Sequence, residues 1–229
     1  MTDHLSPHFG SSALLLIDVQ NDFLDDGAAP IPGTTAVVPK LAELAAAYRE
    51  AGLPVVHVIR LYQPGDSDVD LVRRDRIERG EQVVAPGTAG AAVPAALLPA
   101  EPGLDAARLR AGEPQSVGDS EVVFFKPRWS AFHRTGLEAW LRDRGIDTVV
   151  VAGCNLPNCP RATLFDATER DFRSVLVTDA VSQISNERLA DLEAIGVRLL
   201  ETRTVIGALD GAADFHTGLG FRELVEGDR

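Results

Sequence analysis

The strongest constraint on the fold is the alternation of short apolar runs with longer segments of helical periodicity. The first run, Ala13–Val19, is continuously apolar except for one acid near its end. Such runs are typical of strands in a parallel sheet that is covered on both faces. Strand–helix alternation at this spacing favours right-handed crossovers. We therefore predict an α/β fold, with a six-stranded, mostly parallel sheet and helices on both faces in three α/β/α layers.

Six runs carry the strand pattern and four further segments carry the helical pattern. The predicted strands are Ala13–Val19, Pro54–Arg60, Glu121–Phe125, Thr148–Ala152, Ser174–Val177 and Val197–Leu200. The predicted helices are Thr34–Ala51, a segment that begins at a capping box over Thr135–Glu138 and ends at Gly145, Arg161–Phe172, and Asn186–Ile195. The tail after Ile206 has no clear assignment.

The stretch from residue 61 to about residue 120 interrupts this alternation. It is rich in Gly, Pro, Ala and charged residues, and its only helical pattern is short and charged, over Asp68–Gly80. Long loops in compact domains are usually functional or mobile, so Asp66–Arg76 is a candidate lid or subunit contact. We predict one domain over residues 1–229 with this long insertion; two domains divided within the insertion are the alternative.

Charge and cysteine content narrow the class of protein. The 229 residues carry 22 Lys and Arg against 34 Asp and Glu, a net charge of −12, which argues against nucleic-acid binding. Two cysteines are too few for a disulfide framework. No apolar run approaches the roughly 20 residues that span a bilayer, and the polar N-terminus does not resemble a signal peptide. These features predict a cytoplasmic protein without nucleic-acid or membrane partners.

Three chemically distinct side chains follow three of the predicted strands. Asp18 ends the first strand, Lys126 follows the third, and Cys159 lies between the fourth strand and a helix. Ligands bind beyond the carboxyl ends of strands in open α/β sheets, where these side chains are expected to meet. Each residue alone has an ordinary alternative role: Asp18 as a turn cap, Lys126 as a surface lysine and Cys159 as an inert buried thiol. Together, a thiol at a helix N-terminus, a nearby ammonium and a carboxylate predict an activated nucleophile.

The segment that joins the fourth strand to the thiol is dense in turn-forming residues. It reads GCNLPNCP over residues 153–160, and Pro160 suits the first helical turn because its missing N–H is no loss there. This arrangement leaves backbone N–H groups of the turn free to face a developing oxyanion. The sequence has no dinucleotide-binding glycine motif, no Walker loop and no Gly-x-Ser-x-Gly, so nucleotide binding and serine hydrolysis lack their signatures.

Three motifs in order resemble the isochorismatase-like cysteine hydrolases, which include nicotinamidases, carbamoylsarcosine amidases and streptothricin hydrolases. The motifs are ALLLIDVQNDF (Ala13–Phe23), KPRWSAF (Lys126–Phe132) and VVVAGCNLPNCPRATLFDATERDF (Val149–Phe172). The resemblance implies a catalytic Asp18–Lys126–Cys159 triad. It also implies a cis peptide between Cys154 and Asn155, and an oxyanion hole formed by the N–H groups of Asn155 and Cys159.

The chain departs from the pattern of this family at three places. Leu156 stands where many members have Thr, which alters the turn chemistry. Residues 61–64 (LYQP) replace the Asp-x-His motif of nicotinamidases, so we predict no metal and no other cofactor. Isochorismatases proper lack the cysteine, and the presence of Cys159 therefore argues against their vinyl-ether chemistry.

Residues beside the motifs are candidates for substrate binding, each with an ordinary structural alternative. Phe23, Trp129 and Phe132 either line the substrate cavity or pack in the core. Arg161 either binds an anion or forms a structural salt bridge. Five further polar or thiol residues are interpreted as having no direct catalytic or ligand-binding role. They are His57 as a strand residue, His133 as a residue near the site that does not act, Cys154 as a packed thiol, Asp179 as a turn or supporting residue, and His216 in the unassigned tail.

These observations predict an amidohydrolase that cleaves a C–N bond through a thioester on Cys159. The expected substrate is a small carboxamide, a ureido acid or a lactam such as that of streptothricin, and the resemblance implies a homo-oligomer, either a dimer or a tetramer. Two alternatives stay open: a vinyl-ether hydrolase that uses Asp18 as an acid, and a non-catalytic binding or assembly module.

Overall fold

A computed structural model describes residues 3–100 and 103–217, which build one sheet with helices on both faces. The strands are β1 (Ser12–Ile17), β2 (Val55–Ile59), β3 (Gln115–Gly118), β4 (Glu121–Phe125), β5 (Thr148–Gly153), β6 (Arg173–Val181) and β7 (Arg198–Leu200). The α-helices are α1 (Thr34–Glu50), α2 (Leu71–Glu78), α3 (Ala106–Arg110), α4 (Leu137–Arg142), α5 (Cys159–Thr168), α6 (Asn186–Ala194) and α7 (Thr202–Thr217).

The strand order brings the carboxyl ends of four parallel strands, β1, β2, β4 and β5, to one edge of the sheet. The order is β3-β4-β2-β1-β5-β6-β7, and each neighbouring pair is parallel except β3 and β4. From β1 the chain winds outward to β2 and β4, and then crosses to β5 on the other side of β1. The gap between β1 and β5 is therefore the topological switch point, where doubly wound sheets bind ligands.

Burial on both sheet faces explains why β1 is apolar at successive positions. Leu14 and Leu16 pack in the apolar cluster beneath α1 and α7, whereas Ala13, Leu15 and Ile17 pack in the cluster beneath α4, α5 and α6. Successive side chains of a strand point to opposite faces, so a strand between two helical layers has no solvent-facing row.

The predicted α/β class and the parallel order are confirmed, but the predicted strand number is wrong by one. The described sheet has seven strands, because β3 lies within the predicted loop of residues 61–120 and pairs antiparallel with β4. Its sequence, QSVG, lacks an apolar run because it is an edge strand with alternating half-buried and exposed positions. The same insertion contains α2, inside the range predicted for a short charged helix, and α3.

Two predicted helix boundaries are also wrong. The helix after the nucleophile begins at Cys159 and ends at Thr168, not at Arg161 and Phe172, because Asp171 adopts a left-handed conformation (φ 55°). The predicted capping box does not form: α4 begins after Gly136, and the Thr135 hydroxyl donates a 2.6 Å hydrogen bond to the Ala131 carbonyl. The tail left without assignment begins within α7, which extends to Thr217.

In the described part of the chain, no helix combines the length and the apolar character that a bilayer crossing requires.

Candidate active site

The carboxyl edge of the sheet collects charged and nucleophilic side chains from four strands. Asp18 follows β1 directly, Arg60 follows β2, Lys126 follows β4, and Cys159 begins α5 after the β5 turn. All four are buried, with Lys126 wholly inaccessible. The three residues predicted from strand ends therefore share one edge of the sheet, at its switch point.

Asp18 and Lys126 form a buried ion pair. The Lys126 Nζ lies 2.8 Å from Asp18 Oδ2 and also donates to the Arg128 carbonyl at 3.2 Å. Asp18 itself adopts a left-handed conformation (φ 53°), a strained state for a residue with a side chain that turns the chain out of β1. Within the described residues, Asp18 Oδ1 is buried and has no hydrogen-bond partner. One carboxylate oxygen is thus held by the ammonium and the other is free to accept a proton.

Cys159 lies at the first position of α5 and lines the same cavity as Asp18. Burial raises the pKa of its thiol, and the negative charge of Asp18 raises it further; Lys126 and Arg60 act in the opposite direction but do not prevail. Lys126 lowers the pKa of the thiol, as its proximity predicts, but desolvation of a buried thiolate outweighs this effect in the resting protein. The thiol rests in its neutral form.

The turn from β5 to Cys159 has the geometry that the resemblance implied. The peptide between Cys154 and Asn155 is cis, and the Asn155 side-chain amide donates to Gln183 Oε1 at 2.7 Å. Within the part of the chain that the structure describes, the N–H groups of Asn155 and Cys159 donate to no protein acceptor. These two backbone donors are free to hold an oxyanion.

Gly153 permits the close contact between this turn and β1. A Cβ at this position would lie 2.4 Å from the carbonyl oxygen of Ile17, and the residue has a φ of +116°. Only glycine satisfies both conditions. The spacing between the Asp18 strand and the Cys159 turn therefore depends on the absence of a side chain here.

Arg60 is a site residue that the sequence analysis missed. Its Nη2 lies 3.8 Å from Cys159 Sγ and 3.0 Å from Asp70 Oδ2, and its side chain is 2% exposed. Gln20 fixes its backbone, donating to the Arg60 carbonyl and accepting from its N–H, both at 2.8 Å. A charge directly after the apolar run of β2 is the same signal that identified Asp18 and Lys126, and it was available in the sequence.

The insertion after β2 supplies one wall of the site. The Tyr62 hydroxyl donates to Asp70 Oδ2 at 3.0 Å, beside the Arg60–Asp70 ion pair. Arg73, on α2, lies over the aromatic rings of Phe23 and Tyr62, with its guanidinium carbon 5.9 and 6.0 Å from the two ring centres. The segment predicted as a lid or subunit contact thus contributes polar side chains to the cavity around Cys159.

The cavity at the sulfur is narrow and adjoins a wider one. It has a volume of about 20 Å³, close to the space that one water molecule needs. Asp70 and Trp129 also line a neighbouring cavity of about 260 Å³, together with Arg128, Ser130 and His133. A reacting group that reaches the sulfur must therefore be small, and the rest of the substrate extends out of this cavity.

The structure separates the four predicted substrate-binding residues into two pairs. Phe23 and Trp129 line the narrow cavity, and Trp129 is 44% exposed. Phe132 instead stacks on Phe172 in the core at a ring distance of 5.6 Å, and Arg161 pairs with Asp191 on the surface at 3.2 Å. Neither Phe132 nor Arg161 is among the residues that line this cavity, and their contacts are those of the packing and salt-bridge alternatives.

Other polar residues of the sequence have structural partners. His57 makes a 2.6 Å hydrogen bond with Glu121, and Asp179 accepts from the Thr202 N–H at 2.8 Å, where α7 begins. Cys154 is buried at the edge of the cavity, and burial raises the pKa of its thiol to about 12. The side chain of His216 lies outside the described residues. Within the described ranges, no three His, Cys, Asp or Glu side chains are grouped as a metal site would require.

A doubly wound α/β/α fold with a buried carboxylate, ammonium and thiol at its switch point defines a class, the isochorismatase-like hydrolases. The chain belongs to the isochorismatase family: residues 12–203 match the Isochorismatase domain. A solved isochorismatase family protein from Desulfovibrio vulgaris superposes with a TM-score of 0.74 at 33% identity, covering 87% of this chain and 98% of that one.

Several curated relatives are amidohydrolases. A maleamate amidohydrolase of Pseudomonas putida is 35% identical over 74% of this chain and 71% of its own length. A ureidoacrylate amidohydrolase of Methylobacterium radiotolerans is 28% identical over 90% of this chain and 79% of its own length. A probable inactive nicotinamidase of Arabidopsis thaliana is 31% identical over 85% and 94%, respectively.

Proposed function

We propose that this protein is a cysteine amidohydrolase that cleaves the C–N bond of a small amide through a thioester on Cys159. One observation carries the proposal: Asp18 and Cys159 line the same narrow cavity, Lys126 holds Asp18 Oδ2 at 2.8 Å, and Oδ1 has no hydrogen-bond partner among the described residues. A base, a nucleophile and a fixed counter-charge are the parts that acyl transfer needs.

In the first step, Asp18 Oδ1 accepts the proton of the Cys159 thiol as the sulfur attacks the carboxamide carbon. The raised pKa of the buried thiol means that the proton leaves during the attack and not before it. The carbonyl oxygen becomes an oxyanion and accepts hydrogen bonds from the N–H groups of Asn155 and Cys159. One such donor typically contributes about 3–4 kcal/mol to the transition state.

The tetrahedral adduct then collapses and the C–N bond breaks. Asp18 returns its proton to the nitrogen, which departs as ammonia or an amine and leaves the acyl group on the sulfur. Asp18 next takes a proton from water, whose oxygen attacks the thioester, and the carboxylic acid departs as the thiol is restored. Lys126 fixes the orientation of Asp18 through its 2.8 Å contact with Oδ2, and its positive charge favours the thiolate as the proton leaves the sulfur.

The amidohydrolase relatives and the narrow cavity support a small substrate. Ureidoacrylate and maleamate, named for two relatives, are short amides. We therefore place the substrate among small carboxamides and ureido acids. The lactam of streptothricin, the third class that the sequence suggested, is bulkier, and the narrow cavity favours the two smaller classes. The mechanism uses no metal or cofactor.

The test is a screen of small primary amides and ureido acids by release of ammonia, with Cys159→Ala and Asp18→Asn as variants. We expect both variants to lose at least about a thousandfold in kcat while their unfolding midpoints stay within a few degrees of the wild type. Near wild-type turnover by either variant would contradict the assigned roles.

A second candidate, a non-catalytic module, is favoured by the similarity to the probable inactive nicotinamidase. Iodoacetamide distinguishes the alternatives. An amidohydrolase loses activity as Cys159 is alkylated, a vinyl-ether hydrolase keeps its activity, and a binding module has no activity to lose.

A further inference from the structure

Arg73 is a charged residue of the cavity that has no role in the proposed mechanism. It lies in the first turn of α2, half-buried, and lines the cavity around Cys159. Within the described part of the chain, its guanidinium makes no ion pair and no side-chain hydrogen bond. Its contacts are instead the faces of Phe23 and Tyr62. Its position is therefore set by aromatic stacking, which leaves its N–H donors free.

The other charges of the site compensate one another in pairs. Lys126 is bound to Asp18 at 2.8 Å, and Arg60 is bound to Asp70 at 3.0 Å. The Cys159 thiol adds no charge, because burial and the neighbouring Asp18 raise its pKa. Arg73 is thus the third cation against two carboxylates, and the cavity carries one uncompensated positive charge in a protein whose net charge is −12.

Arg60 does not substitute for Arg73 as an anion site. Its side chain is 2% exposed, and both of its terminal nitrogens face Asp70. The side chain of Arg73, in contrast, is accessible from the cavity and from solvent. A guanidinium with free donors on two nitrogens binds a carboxylate in a bidentate manner, which a single ammonium does not.

We propose that Arg73 binds a carboxylate of the substrate, so that the substrate is a short amide with a free carboxylate at its other end. The proposal rests on the proposed function for the identity of the amide as the reacting group. The amide enters the narrow cavity and reaches the sulfur, and the short carbon spacer extends outward, so that the carboxylate meets Arg73 where this side chain is accessible from solvent. This gives α2 of the insertion a role in substrate selection.

The kinetic test compares the monoamides of malonate, succinate and glutarate with neutral primary amides of equal chain length. We expect the wild type to favour at least one monoamide over its neutral partner by about tenfold or more in kcat/KM. Arg73→Gln removes that preference, mainly through KM, because the monoamides lose more in kcat/KM than the neutral amides do. Arg73→Lys, which keeps the positive charge but cannot bind a carboxylate in a bidentate manner, retains part of the preference.

The matched control is Arg79→Gln, which removes an exposed arginine just after α2 that does not line the cavity. It keeps the full preference. The role of Arg73 would be overturned if Arg73→Gln lost equally in kcat/KM for the monoamides and the neutral amides. It would also be overturned if the wild type preferred the neutral amides.

A binding measurement separates this inference from the proposed function. Calorimetry on Cys159→Ala, with and without Arg73→Gln, measures the affinity for the monoamides without turnover. Weakening by about tenfold or more on loss of Arg73 supports the inference even if no amide is hydrolysed, which would contradict only the proposed function. Turnover of amides with an unchanged affinity in the double variant contradicts only the inference. Failure of both measurements rejects both.

Discussion

Arg60 connects the nucleophile to the wall that the insertion supplies. It contacts Cys159 Sγ at 3.8 Å and Asp70 at 3.0 Å, and Tyr62 donates to the same carboxylate. Burial opposes the charged form of Arg60, yet surrounding groups, including the carboxylates of Asp18 and Asp70, raise its pKa above the ordinary value. The guanidinium is therefore a fixed positive charge beside the sulfur, where the proposed acyl transfer would develop negative charge.

Arg60→Met should reduce both stability and activity. Removal of one partner leaves Asp70 as an uncompensated buried charge, which typically costs about 3–5 kcal/mol in the free energy of unfolding. The double variant Arg60→Met/Asp70→Leu replaces both charges with apolar side chains and should recover most of that stability, measured by urea denaturation, but not the activity. A single variant as stable as the wild type would contradict the importance of this ion pair.

The close contact of β1 with the β5 turn is the element-scale feature on which the site depends. Asp18 and Cys159 belong to different strand–loop units, and Gly153 sets the distance between those units through its contact with Ile17. The same contact aligns β1 and β5 in parallel register from Ser12–Thr148 to Ile17–Gly153.

Gly153→Ala should destabilise the protein more than a substitution at a glycine with a similar backbone but open surroundings. Gly145 is a suitable control, because its φ is +69° and a Cβ there meets no atom within 4 Å. We expect about 1–2 kcal/mol for Gly145→Ala from backbone strain alone. Overlap with the Ile17 backbone should bring Gly153→Ala to about 3 kcal/mol or more. Equal unfolding free energies for the two variants would contradict this role of Gly153.

The sequence predicted the strands that carry an apolar run and missed the strand that carries none. The apolar runs of β1, β2, β4 and β5 are recognisable in the sequence because helices cover both faces of these strands. The edge strand β3 has no such run, and its pairing with β4 depends on tertiary context. Asp18, Lys126 and Cys159 were predictable because they end buried strands. Arg73 and Asp70 were not, because they come from an insertion whose course no periodicity defines.

At the scale of the whole molecule, a buried polar cluster joins the helical layer to the sheet away from the site. Glu121 on β4 accepts from Arg49 on α1 at 2.6 Å and makes a 2.6 Å hydrogen bond with His57 on β2. Burial of Glu121 would raise its pKa, but the hydrogen bonds from Arg49 and His57 outweigh it, and the pKa lies below its ordinary value of 4.5.

This cluster predicts acid sensitivity. Because the folded-state pKa of Glu121 is depressed, its contribution to stability is present above pH 4.5 and is lost as the pH falls below that value towards the folded pKa. Glu121→Gln should therefore be less stable than the wild type at pH 7, and the difference should shrink as the pH is lowered from 5 to 3 in urea titrations. A difference that is independent of pH would contradict this role of Glu121.

The predicted homo-oligomer stays a prediction.

The central claim is that Cys159 becomes acylated, and intact-protein mass spectrometry during turnover tests it most directly. A quenched reaction with a hydrolysed amide should show a mass increase equal to the substrate minus its amine, located by peptide mapping on Cys159 and absent from Cys154 and from the Cys159→Ala variant. Steady hydrolysis of the amide by a protein whose Cys159 never carries the acyl group, under conditions in which deacylation limits the rate, would contradict the account.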